Sequence, residues 1–448
     1  MLSKSYVENY KINIKLAYPI MLGQVGHILT GIADSIMVGN ISAGHLAAGA
    51  LGHSIYIVFF IIGLGIATGI TPLVGISYGE KNYRECGNYF KNGLLATMII
   101  GFIMMLIMIL ALPLLSFLGQ PPEVIKLARP YYIISAFSII PSMLFVAMKQ
   151  FTEGITLTKP AMTASIVFNI ANIILNYLLI YGNFGFPRLE LEGAAWATFI
   201  SRAGMGLSLL LYVFYHPKFK IYLHNLNWKK YSVKHIKKIL VLGFPISLQY
   251  LLEVAAFSFG ALMMGWLSSS ALAAHQIAIS IAGFTYLAAS GIGSAATIRI
   301  SNLLGEGRPE ELKISGNASF ILVLIWMSIA AVLLIALRYV IPAFYVSESE
   351  VIELSAQLFI VAAIFQIFDG IQVTALGALR GLEDVKVPTL IALLSYWIVA
   401  LPVGYLLGIV FEIGAVGIWL GYVAGLILAA VLLYRRFKLL LSRITILK

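Results

Sequence analysis

Long apolar runs, broken by short polar connections, recur along this chain from residue 14 to residue 435. A helix needs about 20 mostly apolar residues to cross a bilayer. Twelve segments meet that need, at roughly 14–40, 46–78, 90–118, 129–150, 160–182, 191–215, 240–267, 272–304, 315–344, 351–380, 386–411 and 413–435. No polar stretch is long enough for a separate soluble domain. The pattern predicts an all-α polytopic membrane protein.

The twelve segments fall into two sets of six. One constant shift along the chain brings Pro19 onto Pro245, Gly39 onto Gly265, Gly65 onto Gly291 and Thr71 onto Thr297. The same shift lays "HLAA" ending at Ala48 on "ALAA" ending at Ala274, and "YGEK" at 78–81 on "LGEG" at 304–307, with no gap. Further along, a slightly longer shift pairs Pro160 with Pro388 and "NYLL" at 176–179 with "GYLL" at 404–407. With six spans each, both halves start from the same side, as parallel repeats about an axis along the membrane normal do. The expected organisation is an amino-terminal six-helix lobe (1–215), a basic cytoplasmic loop (216–239) and a carboxy-terminal six-helix lobe (240–448). Two lobes related by a pseudo-two-fold imply a transporter with a site between them. A duplicated bundle with no central path is the alternative.

Composition agrees. The chain is 60% hydrophobic and 11% charged, against about 25% charged in soluble domains. Its net charge of +11 sits largely in "HPKFKIYLHNLNWKKYSVKHIKKIL" and in the tail "YRRFKLLLSRITILK". These runs flank apolar spans, so they read as orientation signals rather than as a nucleic-acid surface. Placing both termini and the even-to-odd connections on one side puts 24 of the 30 Lys and Arg there. Lys126, Arg129, Arg188 and Arg338 remain on the other side, and Arg202 and Arg299 fall within spans. A multi-pass protein of the inner (plasma) membrane with both termini cytoplasmic is expected, with no cleaved signal peptide. The single Cys86 excludes an internal disulfide.

Sixteen of the 19 acidic residues lie in loops, tails or span ends. Asp34, Glu253 and Asp369 lie deep in spans 1, 7 and 10. An Asp at a helix centre costs about 2.5–3.5 kcal/mol on insertion scales, so each needs protein, water or a cation beside it. Span 5 presents Asn169, Asn172 and Asn176 at i, i+3 and i+7, on one face, and span 6 adds Thr198. One carboxylate with neutral oxygens suits a hard cation; the same shell could hold a protonated carboxyl. In the second half Gln249 shares a face with Glu253, and Gln366 with Asp369. The alternative for each acid is a structural role in a buried hydrogen-bond network.

Together, "YPIMLGQ", "ADSIMVGNISAGHLAAGALG", "NIANIILNYLLIYG", "LLEVAAF" and "FDGIQVTALGALRG" resemble the multidrug and toxic compound extrusion (MATE) family. The presence of Glu253 and Asp369 resembles its NorM-type branch. The likeness covers nearly the whole chain. It implies a secondary active antiporter that exports lipophilic, often cationic drugs in exchange for Na+ or H+, by alternating access. It also implies a first-lobe cation or proton site at Asp34, Asn172, Asn176 and Thr198, and a second-lobe cation site at Glu253 and Asp369. Some relatives carry an aspartate where this chain has Asn176. Candidate substrate contacts are Gln249, Glu253, Gln276, Gln366 and Asp369. No cofactor beyond the coupling ion is expected, and the partners are small molecules and membrane lipid, with the chain acting as a monomer.

Weaker signals remain. Arg202 reads either as a cavity charge or as a buried partner for a carbonyl or carboxylate, and Arg299 as a snorkelling side chain. His27 lies two turns before Asp34 on the same face, suiting an interhelical hydrogen bond or a proton relay. His275 and Gln276 open span 8, and Pro402 is expected to bend span 11. The absence of a G-x-x-x-x-G-K-[ST] loop excludes ATP hydrolysis by this chain. No His/Cys metal cluster or nucleophile elbow suggests an enzyme. A lipid-linked saccharide flippase of related fold is the second functional reading; it calls for a basic cavity, whereas the deep charges here are mostly acidic.

Overall fold

The computed structural model describes residues 2–224 and 226–446. Those residues form helices and connections, with no strand. Lipid offers a backbone no hydrogen-bond partner, so a single segment crosses it as a helix. Twelve helices are long and apolar enough to span. The first six are α1 (Tyr6–Gly39), α2 (Ala43–Gly79), α3 (Tyr83–Leu110), α4 (Pro122–Gly154), α5 (Lys159–Tyr181) and α6 (Glu190–Tyr215). The second six are α7 (Val233–Leu267), α8 (Ser269–Gly305), α9 (Pro309–Ala336), α10 (Ser349–Gly381), α11 (Lys386–Val410) and α12 (Ala415–Ile444). Each segment read from the sequence overlaps one of them.

The repeat extends to the devices that start and stop the helices. Ser42 N-caps α2, and its counterpart in the second half, Ser268, N-caps α8. Their side chains accept from the backbone N–H of His45 at 3.2 Å and of Ala271 at 3.0 Å. The chain turns left-handed at Lys81 and Gly307, at Thr156 and Glu383, and at Phe184 and Glu412. Each of these pairs holds corresponding positions of the two halves. Five of the six residues carry a Cβ, which disfavours that conformation by about 1–2 kcal/mol. At these turns it is backbone conformation, rather than residue type, that the two halves share.

The chain packs as two compact units, Leu22–Ser247, and Met1–Met21 with Leu248–Lys448. The sequence reading divided the chain at 215 and 240; the packing units divide it inside α1 and α7, again at corresponding points of the repeat. Glycine makes the exchange close. In the first unit a Cβ on Gly65 would collide with the backbone of Ser247, whose hydroxyl donates to the Ile62 carbonyl at 2.7 Å. In the second unit Gly291, the counterpart of Gly65, meets Met21, the counterpart of Ser247. There the buried Asn13 donates to Ser315 O at 3.2 Å and to Ser319 Oγ at 3.0 Å.

Pro402 has the irregular surroundings expected of it. It sits in the short α-helical stretch Leu401–Tyr405, and α11 widens into π-helical turns on either side, at Leu394–Ala400 and Leu406–Val410. Such turns re-aim side chains and often occur at functional sites. Tyr396, buried in the first of them, belongs to the polar cluster described next.

Candidate functional site

In the unit Leu22–Ser247 a polar cluster forms where α1, α5 and α6 meet. Asn176, fully buried on α5, donates its amide N–H to Asp34 Oδ1. Asn172, one turn earlier, turns its amide nitrogen to the same oxygen at 2.9 Å, and its own oxygen accepts from the Thr198 backbone N–H at 3.2 Å. The Thr198 hydroxyl lies 3.4 Å from the same end of that amide. Thus Asp34, Asn172, Asn176 and Thr198, grouped from the sequence, lie together. Asn176 Oδ1 is buried without a partner, leaving one acceptor oxygen beside the carboxylate.

Asn169 does not join them. Its amide points to Ser165 Oγ at 3.5 Å, and Ser165 lies 3.3 Å from His27 Nε2. His27 thus takes the interhelical hydrogen bond rather than a contact with Asp34. Arg202 donates to Ser138 Oγ at 2.6 Å and covers the Tyr56 ring at 4.1 Å from its centroid. Its partners are a hydroxyl and an aromatic face, where one of the two sequence readings called for a carbonyl or carboxylate. Tyr56 in turn bonds Ser142 at 2.9 Å.

The second unit holds a different cluster, on α7, α10 and α11. Glu253 Oε1 accepts from the Tyr396 hydroxyl at 3.2 Å, and Tyr396 accepts from Gln372 Nε2 at 2.6 Å. Asp369 is buried, 5% exposed, on α10. Gln366 is engaged at both ends of its amide, accepting from Thr285 Oγ1 at 2.9 Å and donating to Met327 O at 3.3 Å. Gln249 accepts from Arg380 Nη2 at 3.2 Å. Gln276 is exposed on α8, whereas its neighbour His275 is buried and accepts from Trp419 Nε1 at 3.2 Å. Tyr396, Gln372 and Arg380 are cluster members that the sequence reading did not single out. The one available signal was Pro402, which follows Tyr396 closely and marks an irregular helix.

Chemically, each cluster presents one carboxylate, Asp34 or Glu253, to neutral hydrogen-bonding groups, a setting that can exchange a proton or a cation. Among the described residues no group of three or more His, Cys, Asp and Glu gathers as a metal centre.

The MatE family matches this chain twice, at residues 19–178 and 245–406, and the two matches are offset as the internal repeat is. A "Probable multidrug resistance protein NorM" of Bradyrhizobium diazoefficiens is 33% identical, over 96% of this chain and 93% of its own. A "Multidrug resistance protein NorM" of Photobacterium profundum is 32% identical, over 95% of this chain and 94% of its own. Among solved structures, that of a MATE in complex with MaL6 has a TM-score of 0.90 at 20% identity, covering 98% of this chain and 97% of the other. The eukaryotic MATE transporter AtDTX14 has a TM-score of 0.86 at 20% identity, covering 98% and 99%. At that identity the structural likeness concerns the fold. Matched by the family in both halves, and by these NorM relatives along nearly its whole length, the chain belongs to the MatE family as a NorM-type membrane transporter, not an enzyme.

Proposed function

We propose that this transporter is a secondary active multidrug antiporter, exporting lipophilic and often cationic compounds in exchange for Na+ or H+. The observation that carries the reading is the deep carboxylate Asp34, bonded by the amides of Asn172 and Asn176, with Thr198 against Asn172. In the described arrangement Asp34 accepts amide hydrogens. A proton would turn the carboxyl into a donor, and the free Asn176 oxygen could receive it. A sodium ion would require the amides to present oxygen instead. Either event changes which groups satisfy one another, so it favours one packing of the helices over another. Glu253 and Asp369 supply negative charge for a second cation, drug or ion. A ligand shifts the conformational balance only by its differential affinity for the two states; alternating access needs ion and drug to favour opposite ones. The NorM names of the relatives support drugs as the substrate class.

The same reading places the chain in the inner membrane as a monomer with both termini cytoplasmic, a placement that side-specific labelling of terminal tags checks. The function is tested in reconstituted vesicles loaded with a fluorescent cation. Efflux should follow an imposed inward gradient of sodium or of protons. Efflux indifferent to both gradients would reject the antiport reading.

A further inference from the structure

Arg380 is the basic member of the second unit's cluster. It stands in the last turn of α10. Its Nη1 donates to the Tyr250 hydroxyl at 2.9 Å and its Nη2 to Gln249 Oε1 at 3.2 Å. The guanidinium also lies 4.9 Å from the centroid of the Tyr250 ring. These partners are neutral. Moreover, two donors in this group are buried with no acceptor among the described residues: Arg380 Nε and Gln249 Nε2. Gln249 is only 2% exposed, and unsatisfied buried donors are destabilising.

An acceptor of the right kind stands one turn away. Glu253 follows Gln249 at i+4, on the same face of α7, and helical side chains lean back toward the N-terminus of their helix. Its Oε1 now accepts from Tyr396 at 3.2 Å, and a rotamer leaning back along α7 would turn the carboxylate toward the unsatisfied pair. Gln372 holds Tyr396 in place for the first arrangement.

We propose that Glu253 has two stations, the Tyr396 hydroxyl and the donor pair Gln249 Nε2 and Arg380 Nε, and that Arg380 is a built-in counter-cation competing with the transported cation for this carboxylate. The proposal rests on the reading of Glu253 as a cation site. With a cation between Glu253 and Asp369, the carboxylate stays at the Tyr396 station. When Glu253 swings to Arg380, the cation loses one of its two anionic partners and is released. No bond is made or broken, and no solvent ion need enter to neutralise Glu253. Arg380 is thus a positioning residue that lowers cation affinity and aids release.

The test uses the purified full-length protein in detergent, with ethidium as the cationic probe and fluorescence anisotropy as the readout. Arg380→Gln should tighten ethidium binding roughly tenfold, the order expected when one charge about 12 Å from the bound cation is removed at an effective dielectric of about 20. Arg380→Lys keeps the charge and should stay within about threefold of the parent. Gln249→Leu removes one donor of the station and should tighten binding about two- to threefold. In a Glu253→Gln background these effects should vanish. Unchanged affinity in a normally folded Arg380→Gln protein, or equal tightening without Glu253, would overturn the proposal. If Arg380→Gln does not fold, unchanged affinity in Gln249→Leu overturns it. Glu253→Gln alone examines the underlying reading: ethidium affinity unaffected by that change would reject Glu253 as a cation site, and this proposal with it.

Discussion

The two units carry the same helix plan and opposite solutions to the problem of a buried acid. In one, a single carboxylate, Asp34, is wrapped by amides from a single helix face. In the other, two acids share a cluster in which Glu253 takes one phenol hydroxyl and Asp369 takes no hydrogen bond from any described residue. The repeat does not pair these acids with one another. It lays Asp34 on Gly260 and Glu253 on His27. At Gly260 the space a side chain would take is filled by the hydroxyl end of Tyr422. At His27 the partner is Ser165, at 3.3 Å. Duplication thus preserved caps, turns and glycine contacts while the chemistry moved two helical turns along its span. On the proposed function, one unit holds a small ion tightly and the other keeps a charge free for a larger cation.

The largest effect is expected at Asp34. Asp34→Asn keeps size and much of the hydrogen bonding but removes the charge. The variant should insert and fold normally, and gradient-driven export should fall to background in vesicles. Normal export at normal expression would place the coupling elsewhere and erase the contrast between the units. Next come Glu253→Gln and Asp369→Asn. If their charge serves a cationic substrate, export of that substrate should drop about thirtyfold or more, as the loss of about 2–5 kcal/mol from one desolvated charge contact implies. Export of a matched neutral compound should fall less. Equal losses would assign both acids to ion coupling instead.

How much of this could be read from the chain depends on what each feature requires. The spans were legible because lipid forces about 20 apolar residues to be contiguous. The grouping of Asp34 with Asn172, Asn176 and Thr198 was legible because polar residues are rare there, and α5 places two of them one turn apart. The same rule misled at Asn169. A spacing of i and i+7 keeps a residue on one face but moves it about 10 Å along the axis, and there Ser165 is its partner. Tyr396, Gln372 and Arg380 stayed hidden for another reason. Tyr and Gln recur in several spans of this chain, and whether they meet Glu253 depends on helix rotation and on a π-helical turn that no local spacing encodes. Arg380 was counted with the cytoplasmic charges because it sits at a helix end, yet its side chain turns to Gln249 and Tyr250. The packing units were hidden too, since α1 and α7 each belong to both and the division falls inside an unbroken helix.

A smaller effect probes Gly260, the position that corresponds to Asp34. Gly260→Ala should destabilise the protein by about 1–3 kcal/mol, because an added methyl must displace a buried ring. Tyr422 is 1% exposed, and its hydroxyl lies 3.4 Å from the Phe257 carbonyl. Tyr422→Phe removes the nearest colliding atom for the loss of that long hydrogen bond, but the ring carbon Cζ still lies 2.6 Å from the place of the added methyl, so the double variant should recover only part of the stability. Denaturation midpoints of the two single variants and the double variant report this. Strict additivity of the two losses would mean that the phenol does not occupy the place of the missing side chain.

The smallest expected effect asks whether the shared backbone devices are equal in strength. Removing a serine N-cap costs about 1 kcal/mol, so Ser268→Ala should lower stability by that amount. Ser42→Ala should cost the same and slightly more, because Ser42 Oγ also lies 2.7 Å from His45 Nδ1, and His45 Nε2 lies 3.1 Å from Glu190 Oε2. The repeat puts Ala271 where His45 stands, so α8 has no such extension. Glu190 is 40% exposed at its side chain, and exposed pairs of this kind contribute about 0–1 kcal/mol; the excess at Ser42 should therefore be a few tenths. Replacing His45 by Ala first should abolish the excess and leave the two caps equal, since the surplus belongs to a coupled pair and not to the cap. A Ser42 penalty still well above that of Ser268 in the His45→Ala background would show that the two helix starts differ in more than this one chain of contacts, and that the resemblance of the two repeats at their caps is geometric only.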